Sequence, residues 1–497
     1  MTDMSSLLLR RARVVPVTSP APGGAVDLRI VDGRVAALGP QLTPARGERV
    51  VDAAGRWLMP GLWDQHVHTL QWAQLLVRLD TGATSGPAEV LHRVRLRLAA
   101  EPPGTDPGVP LVGWGHRIAT WRETPTVAAL DAVCGTRPVV LISGDAHHGW
   151  LSSAALRLLG LAPRAGIVCE TEWFEAYARL GEWPDVRAQG EAAMADVVAR
   201  AAALGVVGVT DFEFGGAYAD WPERVARGVT GLRVRTATYA GGLDEVVAAG
   251  WRTGDALEAS GQIRMGPLKI ISDGSLSTYT AYCCEPYLGT GAEAHPFGVL
   301  NTPPEELNGL LARAAAAGLE VAVHAIGDAA VASALDGFAA TGARGSIEHA
   351  QLVATADIPR MAELGLVASV QPAHLIADRD VADVCWADRT HRCFPFRAMT
   401  DAGIRLVLGS DAPVSPLDPW LEIATAVHRS GDERAPWHAE QSLTPAEALA
   451  ASTNGQGTVE AGQLADLVLL DADPLGPGPR PPVAATLLGG RFTHTAW

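Results

Sequence analysis

The chain has 497 residues, of which 48% are hydrophobic and 19% are charged, so it can bury a core and long disordered regions are not expected. Its 39 basic and 55 acidic residues give a net charge of −16, which argues against nucleic acid or an anionic membrane as partner. No run approaches the roughly 18 apolar residues of a transmembrane helix. With no signal-peptide pattern and six cysteines that form no CxxC pair, we expect a cytoplasmic protein with reduced thiols.

Short β-strands are the first elements in chain order. Residues 27–39 form two alternating runs joined by Asp32-Gly33, which is a two-residue hairpin signal. A further strand-like run, residues 465–471, lies near the other end of the chain. These β segments flank a long α/β middle. We therefore expect one small β-sandwich built from both ends of the chain.

The middle of the chain alternates apolar strand-like runs with Ala-rich helical stretches, a pattern typical of βα repeats. We predict eight strands, near residues 61–68, 206–212, 232–239, 267–272, 319–324, 346–349, 366–371 and 405–410. Eight strands with intervening helices predict an α/β fold, a (β/α)8 barrel. Thr444 to Glu447 form a capping box, so a helix is expected to begin there.

The interval between the first two barrel strands is long enough for a separate insertion. The predicted domain organisation is therefore a sandwich half at 1–57, a barrel at 58–455 with an insertion at about 81–204, and the second sandwich half at 456–497.

Five side chains of metal-ligand type follow or end the predicted barrel strands. They are His66, His68, His324, His349 and Asp411. The period of two in a strand places His66 and His68 on one side. Because the carboxyl ends of barrel strands meet in one shared bowl, these residues together predict a metal site.

Lys269 is the only lysine among 39 basic residues, and it lies within the fourth predicted strand. A protonated lysine would repel a divalent cation. A neutral lysine can add carbon dioxide and become a carbamate, whereas the guanidinium of arginine stays protonated. This difference explains why one lysine persists in an arginine-rich chain, and it predicts that Lys269 is an N6-carboxylated metal ligand.

Eight segments together resemble the metal-dependent amidohydrolase superfamily, most closely its YtcJ-like branch (amidohydrolase family 3), which includes N-substituted formamide deformylases. They are MPGLWDQHVH (59–68), PVVLISGDAHHGWLSSAAL (138–156), GPLKIISDGSL (266–276), VAVHAIGDAA (321–330), IEHAQLV (347–353), SVQPAHL (369–375), GSDAPV (409–414) and GQLADLVLLD (462–471). The resemblance implies a distorted barrel with a terminal sandwich. It also implies one or two divalent metal ions, usually zinc.

The resemblance also implies a role for each ligand. His66, His68 and Asp411 would hold one metal, His324 and His349 the second, and carboxylated Lys269 would bridge the two. Metal-activated hydroxide would then attack a carbonyl carbon, with Asp411 as general base and acid. Candidate substrate contacts are His147, Asp145, Tyr279, Trp114 and Glu170, and further His374.

These residues favour hydrolysis of a non-peptide, amide-type C–N bond in a small molecule. One alternative is a single-metal deaminase of a small heterocycle. Lys269, and the absence of a glutamate soon after His324, speak against it. A non-catalytic scaffold on the same fold is the other alternative, but it would be expected to lose ligands. A homodimer is possible for this fold, and the sequence does not determine it.

Overall fold

The computed structural model describes residues 6–102, 104–118, 121–144, 148–181, 183–289, 295–476, 478 and 480–497. The chain divides into two compact units. One comprises Met1–Thr69 and Val198–Trp497, and the other comprises Leu70–Val197. Within the described ranges, no helix has both the length and the apolar character needed to cross a membrane.

The first unit begins with strands. They are β1 (Leu7–Val14), β2 (Val26–Val31), β3 (Arg34–Gly39), β4 (Arg49–Asp52), β5 (Trp57–Pro60) and β6 (Leu62–Val67). The turn between β2 and β3 consists of Asp32 and Gly33, both with positive φ (51° and 72°), as the hairpin signal predicts. β6 is buried along its whole length and is the first strand of the barrel.

The second unit is an α/β insertion with its own sheet. Its elements are α1 (Thr69–Val77), β7 (Leu79–Asp80), α2 (Pro87–Ala99), β8 (Leu111–His116), α3 (Val127–Cys134), β9 (Val139–Ser143), β10 (His148–Leu151), α4 (Ser153–Leu158), β11 (Val168–Cys169), α5 (Glu170–Gly181), α6 (Pro184–Ala192) and α7 (Met194–Ala203). The first residue of α1 and the last residues of α7 belong to the first unit. The strand order is β11-β10-β9-β8-β7. Trp150 and Trp173 are fully buried in its core.

The barrel continues in the first unit after the insertion. Its elements are β12 (Val206–Asp211), α8 (Ala217–Ala226), β13 (Arg233–Tyr239), α9 (Leu243–Ala248), β14 (Ile263–Ile271), α10 (Pro304–Ala317), β15 (Val321–Ala325), α11 (Asp328–Thr341), β16 (Gly345–His349), α12 (Asp357–Glu363), β17 (Val367–Val370), α13 (His374–Cys385), α14 (Phe396–Asp401), β18 (Arg405–Leu408), α15 (Pro419–His428) and α16 (Pro445–Ala451), with short 3-10 helices at Ala240–Gly242, Thr390–Arg392 and Ala439–Gln441.

Parallel pairing runs in the order β6-β12-β13-β14-β15-β16-β17-β18. A parallel bridge between Val67 and Ala412 brings the end of β6 next to the segment after β18 and nearly closes the barrel. Each predicted strand coincides with one of these eight. Since parallel strands all end at the same rim, the barrel gathers their carboxyl ends in one place.

The chain ends with β19 (Leu467–Leu470), β20 (Val483–Leu488) and β21 (Arg491–Thr495). β1 pairs with β4 through its first half and with β5 at its end, and it pairs antiparallel with β2 with an irregularity between Leu9 and Ala12. β19 lies antiparallel to β5, so strands from both ends share a core that includes Leu28, Leu58 and Leu467. The predicted fold class is confirmed, including the insertion after the first barrel strand. The numerical domain limits stay predictions.

The capping box predicted at Thr444 is also confirmed. Thr444 Oγ1 accepts a hydrogen bond from the Glu447 backbone N–H at 3.3 Å, and the Glu447 carboxylate accepts one from the Thr444 N–H at 2.8 Å. α16 therefore begins at Pro445, where the missing N–H of proline costs no helix hydrogen bond.

Candidate metal centre

All six predicted metal ligands lie at the carboxyl-terminal rim of the barrel. His66 is in β6 with His68 just beyond it, and Lys269, His324 and His349 lie near the ends of β14, β15 and β16, with Asp411 three residues after β18. His66, Lys269, His349 and Asp411 are buried, while His68 and His324 are partly exposed. Residues separated by up to 345 positions thus converge because parallel strands end together.

His66, His68 and Asp411 form one candidate coordination group, with one ligand atom from each within 4.8 Å of the others. Asp411 Oδ1 lies 3.5 Å from His66 Nε2 and 3.3 Å from His68 Nε2. Lys269 Nζ is 3.4 Å from the same His66 nitrogen. The four side chains therefore direct nitrogen and oxygen atoms toward a common point.

Glu348 orients the His66 ring. Its Oε2 atom lies 2.7 Å from His66 Nδ1. Burial opposes ionisation of Glu348, but the hydrogen bond and charge of His66 outweigh it and lower the pKa of this carboxyl. A carboxylate can only accept at this contact, so Nδ1 carries the proton and the lone pair of Nε2 faces Asp411.

His324 is oriented in a comparable way. Its Nε2 atom donates to the Gly274 carbonyl oxygen at 2.9 Å and lies 3.3 Å from Asp273 Oδ1. Since a carbonyl accepts only, this contact leaves the lone pair on Nδ1. The His324 ring centroid is 4.5 Å from that of His349, so His324 belongs to the same side-chain cluster.

A second group of potential ligands comprises His349, His374 and Asp411, whose ligand atoms also lie within 4.8 Å of one another. The His349 and His374 rings are nearly parallel, with centroids 5.9 Å apart, and His374 Nε2 is 3.7 Å from Asp411 Oδ2. Sequence reasoning placed His374 only among the substrate contacts. His374 is the first residue of α13, and the structure places it beside Asp411, one of the candidate metal ligands.

The backbone at two of these positions is left-handed. φ is 71° at His349 and 56° at Asp411, although neither is a glycine. The Asp411 N–H donates to the His66 carbonyl at 2.7 Å, and the His68 N–H donates to the Ala412 carbonyl at 2.8 Å. These two bonds join the ends of β6 and β18 and hold the strained turn that presents Asp411.

The electrostatics of the cluster keep Asp411 ionised. Burial opposes the charged form, but the interactions with His66, His68 and His349 together lower the Asp411 pKa well below its usual range. Burial also disfavours the charged form of His68, and the hydrogen bond and charge of Asp411 overcome it and raise the pKa of His68.

Lys269 is buried and forms no ion pair with a described carboxylate. Its Nζ atom lies 4.4 Å from the centroid of the Phe212 ring, and no described carboxylate lies within 4.0 Å of it. Burial lowers the pKa of Lys269 to about 8, against the opposing charges of Glu348 and Asp411. A substantial fraction of this amine is therefore neutral near pH 8.

The residues present fit a divalent metal ion. Imidazole nitrogens and one carboxylate are ligands that zinc and related cations accept. Moreover, His349 Nδ1 and His374 Nε2 are buried without a hydrogen-bond partner among the described residues, although such atoms are normally satisfied. A cation at the rim would supply the missing partner and neutralise the Asp411 charge.

The predicted substrate contacts have separate outcomes. Asp145 and His147 lie outside the described residues, and Glu170 begins α5 with its side chain undescribed. Trp114 lies in β8 of the insertion, with the guanidinium of Arg78 5.7 Å from its ring. Tyr279 lies in the loop after β14, where its ring packs edge-on against Tyr287. Their roles stay predictions.

Sequence reasoning missed Glu348 and Asp273. Glu348 precedes His349, and regular strand alternation would put these two side chains on opposite faces. The left-handed φ at His349 breaks that alternation, so both contact the His66 ring. Asp273 accepts hydrogen bonds from the Ile326 and Gly327 N–H groups, and its only sequence signal is its place in the segment around Lys269.

A family model described as the amidohydrolase family matches residues 49–494, which include the barrel and every residue of the metal centre. The chain belongs to the amidohydrolase family. The resemblance found in the sequence motifs is therefore confirmed.

Two curated relatives match most of the chain. The putative amidohydrolase YtcJ of Bacillus subtilis is 27% identical over 86% of this chain and 86% of its own length. The N-substituted formamide deformylase of Arthrobacter pascens is 26% identical over 96% of this chain and 95% of its own length.

Among solved structures, an uncharacterized metal-dependent hydrolase from Pyrococcus furiosus superposes with a TM-score of 0.81 at 27% identity. The match covers 95% of this chain and 100% of the other chain. Together with the relatives, this match supports the interpretation that the chain is a hydrolase of a metal-dependent family. Its candidate metal ligands are His and Asp side chains.

Proposed function

We propose that this amidohydrolase cleaves an amide-type, non-peptide C–N bond in a small molecule. The observation that carries the proposal is the convergence of His66, His68 and Asp411 with the buried Lys269 at one rim of the barrel. The likeness to an N-substituted formamide deformylase over nearly the full length of both chains supports the type of bond.

The ligand set would be occupied by one or two divalent cations, and we propose zinc. His66 and His68 would bind through the nitrogens that face Asp411, with His349 and either His324 or His374 at the second position. Lys269 would join them as a carbamate, because its amine is buried, has a lowered pKa and has no carboxylate within 4.0 Å among the described residues. When bound, the cations polarise the scissile carbonyl and make water more acidic.

The proton transfers would fall to Asp411. With its pKa far below neutrality, this carboxylate is available to accept a proton from the attacking water. The same oxygen could then return the proton to the leaving amine, which must be protonated for the C–N bond to break. The hydrogen bonds between the ends of β6 and β18 hold Asp411 in position for both steps.

Two alternatives are less well supported. A deaminase of this superfamily would be expected to place a catalytic carboxylate soon after His324. The first one in this chain is Asp328, which is 1% exposed and bound by the Arg392 guanidinium at 3.0 Å and the Cys284 N–H at 2.8 Å. A non-catalytic scaffold would not need a buried cluster of metal-ligand side chains, because buried polar groups destabilise the fold unless they are partnered.

The deciding experiment is a screen of N-formyl amines, simple amides, lactams, carbamates and amino-substituted heterocycles with zinc- or manganese-loaded protein. We expect release of an amine from at least one amide-type compound, and none with Asp411→Asn. Ammonia released only from heterocycles would favour the deaminase. A metal-loaded protein that turns over no compound would favour the scaffold.

A further inference from the structure

The opposite end of the barrel contains a cavity rich in arginine. It has a volume of about 510 Å³, which falls in the range of roughly 300–1,000 Å³ of small-molecule sites. Among the described residues that line it, Asp466 is the only carboxylate. Four arginines line it, namely Arg34, Arg233, Arg235 and Arg264. In a protein with a net charge of −16, this is a local excess of positive charge.

Asp466 neutralises only one of these arginines. Its two oxygens accept hydrogen bonds from Arg233, and one of them also accepts from the Gly489 N–H at 2.7 Å. Arg34, Arg235 and Arg264 have no carboxylate within 4.0 Å among the described residues, and their guanidinium contacts are with neutral oxygens. Three cationic groups thus line one cavity without a described carboxylate in direct contact.

Among these three arginines, Arg235 is the most buried and has an unused hydrogen-bond donor. One of its nitrogens donates to Gln65 Oε1 at 2.6 Å and Asn454 Oδ1 at 2.7 Å, while Nε is buried without a partner. Its guanidinium lies 4.7 Å from the Trp63 ring centroid, which fixes its orientation. A buried charge with an unused donor costs free energy unless a ligand completes it.

Strand register places two of these charges side by side. Arg235 of β13 pairs directly with Arg264 of β14, and like charges directly opposite each other destabilise a strand pair. Both lie near the amino-terminal ends of their strands. Arg264 precedes Lys269 by five residues of the same strand, so the cavity lies roughly 16 Å from the metal centre at 3.3 Å per residue.

We propose that this cavity, which we call the arginine cavity, binds the phosphate group of a small phosphorylated molecule. A phosphate monoester carries a charge of about −1.5 to −2 at neutral pH and offers several acceptor oxygens, which suits three unpaired guanidinium groups. The inference is independent of the reaction proposed for the metal centre, since no residue that lines the cavity is a candidate metal ligand.

The test is a titration of metal-loaded protein with inorganic phosphate, and in parallel with glucose 6-phosphate, by calorimetry at constant ionic strength. We expect saturable binding. Arg264→Gln and Arg34→Gln should each weaken it about tenfold or more, because each removes charge-assisted hydrogen bonds from an exposed position without emptying the core. Arg227→Gln is the matched control, since it makes the same charge change at an exposed residue that directly follows α8 and is paired with Glu223.

Unchanged affinity in Arg264→Gln and Arg34→Gln would overturn the proposal, because phosphate would then be binding elsewhere, for instance to the metal ions. An equal loss in Arg227→Gln would reduce the effect to net charge and overturn it too, as would the absence of saturable binding. Binding of glucose 6-phosphate tighter than that of phosphate would show that the cavity also contacts the organic part of its ligand.

Discussion

Lys269 is the residue on which the most specific chemical prediction depends. Lys269→Ala should retain little metal and little activity, and Lys269→Arg should be no better, because arginine keeps its positive charge beside His66 and cannot be carboxylated. Metal per chain is measured by elemental analysis, and the added carbon dioxide by intact mass at neutral and acidic pH. Formate or acetate should partly restore the alanine variant alone. Full activity and metal in Lys269→Arg would exclude the carbamate.

Asp411 carries the predicted proton transfer. Asp411→Asn preserves the shape and an oxygen ligand but removes the base, so kcat should fall by about 10²–10⁴-fold while much of the metal remains bound. Steady-state rates and metal content of the same preparation separate the two effects. Asp336→Asn makes the same change in charge on an exposed surface and should leave both unchanged. Near-normal turnover in Asp411→Asn would move the general base to another residue.

Glu348 acts through His66, so its loss should affect metal affinity before chemistry. Glu348→Gln removes the anionic acceptor at 2.7 Å and leaves the His66 tautomer undetermined, which should weaken metal binding by about 10–100-fold. Competition with a chelator of known affinity gives this value directly. Glu363→Gln, at an exposed position of α12, is the control. An unchanged metal affinity would contradict the orienting role of Glu348.

At the scale of the elements, the terminal β-structure depends on an acid-sensitive contact. Glu48 accepts hydrogen bonds from Arg29 of β2 at 2.8 and 3.0 Å, from Ser6 and from the Ala45 N–H, and the Arg29 bond lowers its pKa from 4.5 to about 2. A depressed carboxyl pKa stabilises the folded state above the unfolded value. That contribution is lost as the pH falls from about 4.5 through about 2.

Glu48→Gln should therefore lower Tm at pH 7, by about 2 °C, and the difference from wild type should shrink as the pH approaches 2.5. Thermal unfolding across this pH range measures the effect. Glu433→Gln, at an exposed position, should show no such trend. A difference that is the same at pH 7 and pH 3 would mean that Glu48 acts through packing rather than charge.

The barrel elements show how a regular fold creates an irregular site. The eight strands form seven neighbouring parallel pairs, two of which have a register irregularity. β6 and the segment after β18 instead meet through the Val67–Ala412 bridge and the backbone hydrogen bonds of Asp411 and His68. Asp411 therefore lies in a turn with positive φ rather than in a strand. This incomplete closure is what turns the Asp411 carboxylate toward both His66 and His68.

At the scale of the whole molecule, metal binding should be linked to stability. The ligands come from five barrel strands, so a bound cation connects distant parts of the chain, and at 1,000 times its Kd it stabilises the folded state by about 4 kcal/mol. Chelation should lower Tm, and added zinc should restore it. His66→Ala/His68→Ala should respond far less to either treatment. A Tm that is independent of chelator in wild type would contradict a linked metal site.

Much of this architecture could be predicted from the sequence because the signals are local. The strand-like runs, the Asp32-Gly33 turn and the Thr444 capping box each depend on a few adjacent residues, and each is found in the structure. The positions of His66, His68 and Lys269 within their strands follow from the same local periodicity. The order of the motifs along the chain then indicated the family.

Tertiary structure decided the contacts that depend on distant pairing. Glu348 meets His66 across 282 residues, and Arg235 meets Asn454 across 219, because strand register and barrel closure bring them together. Alternation along β16 would place Glu348 and His349 on opposite faces, and the left-handed backbone at His349 brings both side chains to the His66 ring. The arginines are chemically identical in the sequence. What distinguishes them is whether the folded chain places a carboxylate in contact with each guanidinium. That is a property of three-dimensional packing and not of local sequence.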